Sequence, residues 1–130
     1  MKARNENKVF SREQIMNKRF YFKHMEPSKA MENHANEQLA KIEQFLSSEE
    51  SPVSIDLTFS PSTVHKHHKV ELRIKSPHYN LVSEYEREGM DMYECLDHVI
   101  DVMYRNLHEA KRKRIDERNH KDHGKFTREG

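Results

Sequence analysis

Met92, Leu96, Val99, Met103, Leu107 and Ala110 recur every three or four residues, which places them on one buried face of a helix. Met31, Ala35, Leu39, Ile42 and Leu46 make a second stripe, with Phe45 at its edge. Pro27 and Ser28 open that earlier helix, since proline fits the region of a helix start and the serine can cap its first amides. Between the helices the period changes to two. Val53, Ile55, Leu57 and Phe59 alternate with Ser54, Asp56, Thr58 and Ser60, and Val70, Leu72 and Ile74 alternate with Lys69, Glu71, Arg73 and Lys75. Residues 79–85 predict a less regular strand, with Leu81, Ser83 and Tyr85 inward, and Arg19–Lys23 an aromatic one with Phe20 and Phe22 on one face. Pro61 and Pro77 mark turns, Gly89 separates the last strand from the last helix, and a helical turn is expected near Arg12–Ile15.

The order is β-α-β-β-β-α. A strand–helix–strand unit makes a right-handed crossover, so the first two strands are parallel if adjacent, and the remaining strands form an antiparallel meander. Each helix has one apolar stripe and each strand one apolar face. The expected fold class is therefore α+β, with both helices packed on one face of a four-stranded sheet. The domain spans residues 18–115, between a flexible N-terminal extension, 1–17, and a flexible C-terminal tail, 116–130.

Composition narrows this picture. Of 130 residues, 34% are hydrophobic and 35% charged, which calls for a one-sided core and a heavily solvated surface. The formal net charge is only +1, so any anion-binding surface must come from distribution rather than total charge, although ten histidines would add positive charge on partial protonation. A single cysteine, Cys95, excludes an internal disulfide framework and suits a reducing cytosol. There is no apolar run near the roughly 20 residues of a membrane span and no signal-peptide segment at the start, so a cytoplasmic, soluble chain is expected.

Charge is polarised along the final helix. Asp91, Glu94, Asp97 and Asp101 precede Arg105, Lys111, Arg112, Lys113 and Arg114. Basic residues commonly complement a helix C-terminus, at about 0.3–1 kcal/mol each, and on charge pattern alone a solvated helix end is the commoner explanation. Four consecutive bases exceed that need, however, and Arg118 and Lys121 continue the theme; a polyanion would relieve their repulsion. His65-Lys66-His67-His68-Lys69 forms a second basic group at the mouth of a hairpin. As a metal site it is poor: His67 and His68 point to opposite faces of a strand, and the lysines repel a cation. Glu94 with His98, and Asp97 with Asp101, have the spacing of local surface pairs. There is no glycine-rich phosphate loop, nucleophile elbow or HExxH, and Cys95 beside the apolar stripe fits a buried, inert thiol, so no enzyme is expected.

The final helix resembles that of the ribosome hibernation-promoting factor family, also called the sigma-54 modulation protein family. The resemblance lies in Glu88-Gly89-Met90-Asp91-Met92-Tyr93, then Cys95-Leu96-Asp97, Val99-Ile100-Asp101, Arg105-Asn106-Leu107 and Lys111. Ser28-Lys29-Ala30-Met31, Leu39-Ala40-Lys41-Ile42-Glu43-Gln44-Phe45-Leu46 and His68-Lys69-Val70-Glu71-Leu72-Arg73-Ile74 extend it. Val102 stands where relatives commonly carry lysine, and Glu109 where a base is frequent.

The resemblance implies a layout similar to double-stranded-RNA-binding domains. It also implies a non-enzymatic factor that binds the small ribosomal subunit and its 16S rRNA near the decoding centre. Such a factor blocks mRNA and tRNA, inhibiting translation and protecting idle ribosomes. Implied RNA-binding residues are Lys41, Lys69, Arg105, Lys111 and Lys113, with His65, Lys66, His68, Arg112 and Arg114 added from the charge pattern. No metal, cofactor, membrane or small-molecule substrate is expected, and the chain should be monomeric off the ribosome. Without a second domain after Gly130 it should not join two ribosomes by the route of longer relatives. The alternatives are a general double-stranded-RNA-binding module and, more remotely, a metal-dependent hydrolase built on the histidine cluster.

Overall fold

The computed structural model describes residues 15–61, 67–88 and 91–129. Its elements are β1 (Met16–Phe22), α1 (Lys29–Phe45) with a closing 3-10 turn (Leu46–Ser48), β2 (Val53–Pro61), β3 (His67–Lys75), β4 (Asn80–Glu88) and α2 (Met92–Glu129). The expected element order and α+β class are observed.

The sheet runs β1-β2-β3-β4. β1 and β2 are parallel, with Met16 opposite Val53 and Phe22 opposite Phe59, as the α1 crossover requires. The other pairs are antiparallel, with Leu57 opposite Leu72 and Val70 opposite Tyr85. These registers bring the inward residues of β2, β3 and β4 onto one face, where both helices cover them. Leu39, Ile42, Leu57, Phe59, Leu72, Ile74, Leu96, Met103 and Leu107 are fully buried in that layer. Phe22 stacks on Phe59 with ring centroids 4.9 Å apart, extending the core towards the β1 edge.

Ser28 caps α1 as its position predicts, its Oγ accepting from the Met31 amide at 3.1 Å. Several boundaries differ from the sequence reading. β1 begins at Met16 because pairing with β2 already starts opposite Val53. Pro61 closes β2 instead of standing in the turn, a strand-end position where its missing N–H is tolerated. α2 runs past Ile115 to Glu129, where a separate tail was expected. Residues 116–129 hold no proline and only one glycine, so no strong breaker stops the helix. The turn expected at Arg12–Ile15 falls almost wholly outside the described residues. No helix among the described residues is long and apolar enough to cross a membrane.

Candidate nucleic-acid interface

The acidic half of α2 is consumed inside the fold. Asp91 Oδ1 accepts from the Glu94 amide at 2.8 Å while Glu94 Oε1 accepts from the Asp91 amide at 3.1 Å, a reciprocal capping box. Asp97 and Asp101 reach across to α1. Asp97 Oδ1 lies 2.8 Å from His34 Nε2, and Asp101 Oδ1 accepts from Lys41 Nζ at 2.7 Å. Neither Glu94 with His98 nor Asp97 with Asp101 forms the expected local pair. Like charges four apart repel, and an opposite charge on the neighbouring helix is the better partner. His98 instead lies against Tyr85, with ring centroids 3.9 Å apart.

Aromatic rings continue this seam. His34 meets Tyr93 edge-on at 5.2 Å, and His108 meets both Tyr104 at 4.6 Å and Phe45 at 4.7 Å. Lys41 Nζ sits 5.0 Å from the Tyr104 ring centroid and Lys111 Nζ 5.5 Å from that of Phe45, both within cation–π range. Sequence reasoning passed over His108. It belongs to a stripe flanking the buried one (Tyr93, Asp97, Asp101, Tyr104, His108, Lys111, Ile115), whose three- and four-residue spacing is the available signal.

The basic half does not form one face. Successive residues on a helix turn by about 100°, so Lys111, Arg112, Lys113 and Arg114 radiate around α2. Arg105 and Lys113 are exposed and have no ion pair among the described residues. Arg112 reaches Glu109 at 3.3 Å, a pair 68% exposed on both sides and therefore weak. Arg114 turns inward: its Nη2 donates to the Tyr79 hydroxyl at 3.3 Å, its guanidinium lies 5.6 Å from the Tyr79 ring centroid, and its buried Nε has no hydrogen-bond partner among the described residues. Lys41 is engaged by Asp101 but 39% exposed, so it remains within reach of solvent. A groove of about 400 Å³ opens beside the seam, lined by His108, Lys111, Arg112 and Ile115.

The other basic group is elsewhere. His65 and Lys66 fall outside the described residues. Alternation along β3 puts Lys69 on the open face of the sheet, 3.7 Å from Glu84, and His68 on the helical side with Val70. The His68 carbonyl lies 3.7 Å from Cys95 Sγ, near the start of α2, and the buried His68 Nδ1 has no hydrogen-bond partner among the described residues. Arg114 meets Tyr79 at the opposite end. The nineteen-residue rise from Cys95 to Arg114 is about 28 Å, so the hairpin residues and the basic end of α2 are far apart. Cys95 is buried, and burial, followed by the Asp91 and Glu94 carboxylates, raises its thiol pKa.

A polar knot secures the Tyr79 end. Glu49, just after the 3-10 turn, accepts from Ser76 Oγ at 2.6 Å and from the His78 amide at 3.2 Å, and its Oε2 lies 3.0 Å from His78 Nδ1. Burial pushes this carboxyl up, but the hydrogen bonds from Ser76 and His78, with the attraction of His78, together hold it below its ordinary value. The knot ties the end of α1 to the β3–β4 turn, which presents Tyr79 to Phe45 and Arg114.

Residues 19–115 match the family model described as "Sigma 54 modulation protein / S30EA ribosomal protein". Among solved structures, the N-terminal domain of Protein Y from Thermus thermophilus aligns with a TM-score of 0.57 at 17% identity, covering 75% of this chain and 97% of that one. A ribosomal subunit interface protein from Coxiella burnetii aligns with a TM-score of 0.59 at 16% identity, covering 76% and 98%. At these identities the two structures speak for the fold. Comparison with curated proteins produced no match.

Proposed function

The chain belongs to the sigma 54 modulation protein / S30EA ribosomal protein family, and on that premise we propose that it is a ribosome hibernation factor. The family is one of ribosome-associated factors. In this reading the protein acts in the cytoplasm, on the small subunit near the decoding centre. It places the basic half of α2 against 16S rRNA phosphates and inhibits translation by occupying the path of mRNA and tRNA. No bond is made or broken; the protein works by occupancy.

The observation that carries the reading is the separation of charge on α2. Asp97 and Asp101 are used to hold α1, while Arg105, Lys111, Arg112 and Lys113 remain exposed. A chain of net charge +1 thereby presents a locally cationic surface. Lys41 lies on the neighbouring helix and Lys69 on the other face of the sheet, so the α2 cations form the primary contact in this reading.

Sedimentation with small subunits across a salt series tests it. Four phosphate contacts give a slope of about −3.6 in log K against log salt, so affinity falls about 150-fold between 50 and 200 mM. The triple variant Arg105→Glu, Lys111→Glu, Lys113→Glu should stay folded and leave the subunit. Binding that ignores salt, or survives the triple variant, rules out this surface. Free duplex RNA that competes as well as small subunits would favour a general duplex-binding module.

A further inference from the structure

We propose that the groove beside the α1–α2 seam takes one unstacked RNA nucleotide, with its base against His108 and Ile115 and its phosphate on Lys111 and Arg112. The proposal rests on the ribosomal-RNA reading and adds to it a base-holding pocket.

The groove has about 400 Å³ of space, within the roughly 300–1,000 Å³ typical of small-molecule sites. Its lining combines an aliphatic side chain, an imidazole ring, an ammonium and a guanidinium, with no carboxylate among the lining residues. That charge complements an anion, while the ring and the apolar wall ask for a flat, partly apolar body. An unstacked nucleotide carries both in one unit, because RNA recognition outside duplexes relies on bases stacked against aromatic rings or guanidinium planes beside backbone contacts.

The lining is also held in place at low cost to binding. The His108 ring is fixed edge-on between Phe45 and Tyr104, with centroids 4.7 and 4.6 Å away. Lys111 lies over Phe45 at the same seam. Among the described residues Arg112 is occupied only by its exposed pair with Glu109, which a phosphate can displace because such pairs are worth little.

The test compares two RNA probes: a perfect duplex of about 16 base pairs and the same duplex with one unpaired 2-aminopurine bulge. The full chain should bind the bulged RNA about 5- to 10-fold more tightly, the low end of what one stacked base contributes, and 2-aminopurine fluorescence should change on binding. In His108→Ala and in Ile115→Ser the ratio of the two affinities should fall towards one, with circular dichroism confirming that each variant is folded. His108 is exposed, so its variant keeps the test usable if the Ile115 change disturbs folding. A ratio near one in the unaltered chain overturns the pocket, as does a ratio preserved in a folded His108→Ala protein. Failure to bind either RNA also overturns it, while sedimentation with small subunits decides the ribosomal reading separately.

Discussion

Asp101→Asn should tighten binding to the ribosomal subunit. Lys41 Nζ is held 2.7 Å from Asp101 Oδ1, with the two side chains 39% and 58% exposed. In so open a setting the pair contributes only about 0.2–1 kcal/mol to stability, so losing it leaves the fold intact. Lys41 then remains over the Tyr104 ring, 5.0 Å from its centroid, with its charge available. The substitution also removes a carboxylate from beside the surface proposed to meet RNA. One added phosphate contact, at a slope of about 0.9 per contact, multiplies affinity by about 8 at 0.1 M salt. Fluorescence anisotropy of labelled protein against small subunits over a salt series measures both quantities. The variant should bind more tightly and its salt slope should steepen by about 0.9. Adding Lys41→Gln should cancel both gains. Affinity and slope equal to those of the unaltered chain would place Lys41 away from RNA and confine Asp101 to holding the helices together.

Glu49→Gln should destabilise the protein by about 1–3 kcal/mol at neutral pH, the usual cost of weakening a buried hydrogen-bonding group. Because the folded Glu49 carboxyl titrates below its ordinary 4.5, its contribution is complete above that value and is lost as pH falls through the folded pKa. Urea unfolding of both proteins should therefore converge in acid, and a gap unchanged at pH 2–3 would contradict the assignment. Cys95 should react with a thiol reagent only as the protein unfolds, its labelling rate rising with denaturant; fast labelling of native protein would show that the thiol is reachable. Leu39→Ala, at a fully buried position on α1, should cost about 2–5 kcal/mol in chemical denaturation, and a loss under 1 kcal/mol would mean that α1 does not seal the core.

Local periodicity made most of the fold legible. Burial at every second residue of β2 and on the Met31–Leu46 stripe follows directly from the alternation and the helical repeat, because each reports which side of one element is dry. The end of α2 was not legible in that way. Past Ile115 the apolar stripe stops, yet the backbone stays helical without a breaker. The site was harder still. The partners of Asp97 and Asp101 lie 63 and 60 residues away, and pairing across packed helices depends on rotation and offset that no local pattern contains. For the same reason adjacent basic residues look like one group in the sequence, whereas the helix sends Arg114 to Tyr79 and Lys111 to Phe45. The His65–Lys69 group belonged with them in sequence logic, but strand alternation sends Lys69 to the open face.

The stretch of α2 from Arg105 to Lys113 is held on the core by the fully buried Met103 and Leu107 and, at its end, by Arg114 against Tyr79. Its cations therefore project from a backbone whose freedom was spent during folding. An unstructured basic segment of the same composition would have to order each residue on contact, at about 1–2 kcal/mol per residue. Here only the side chains are immobilised, at about 0.5–1.5 kcal/mol each. A nearly neutral chain can thus rely on few charges, because the ordering that usually weakens a basic tail is complete before the encounter begins.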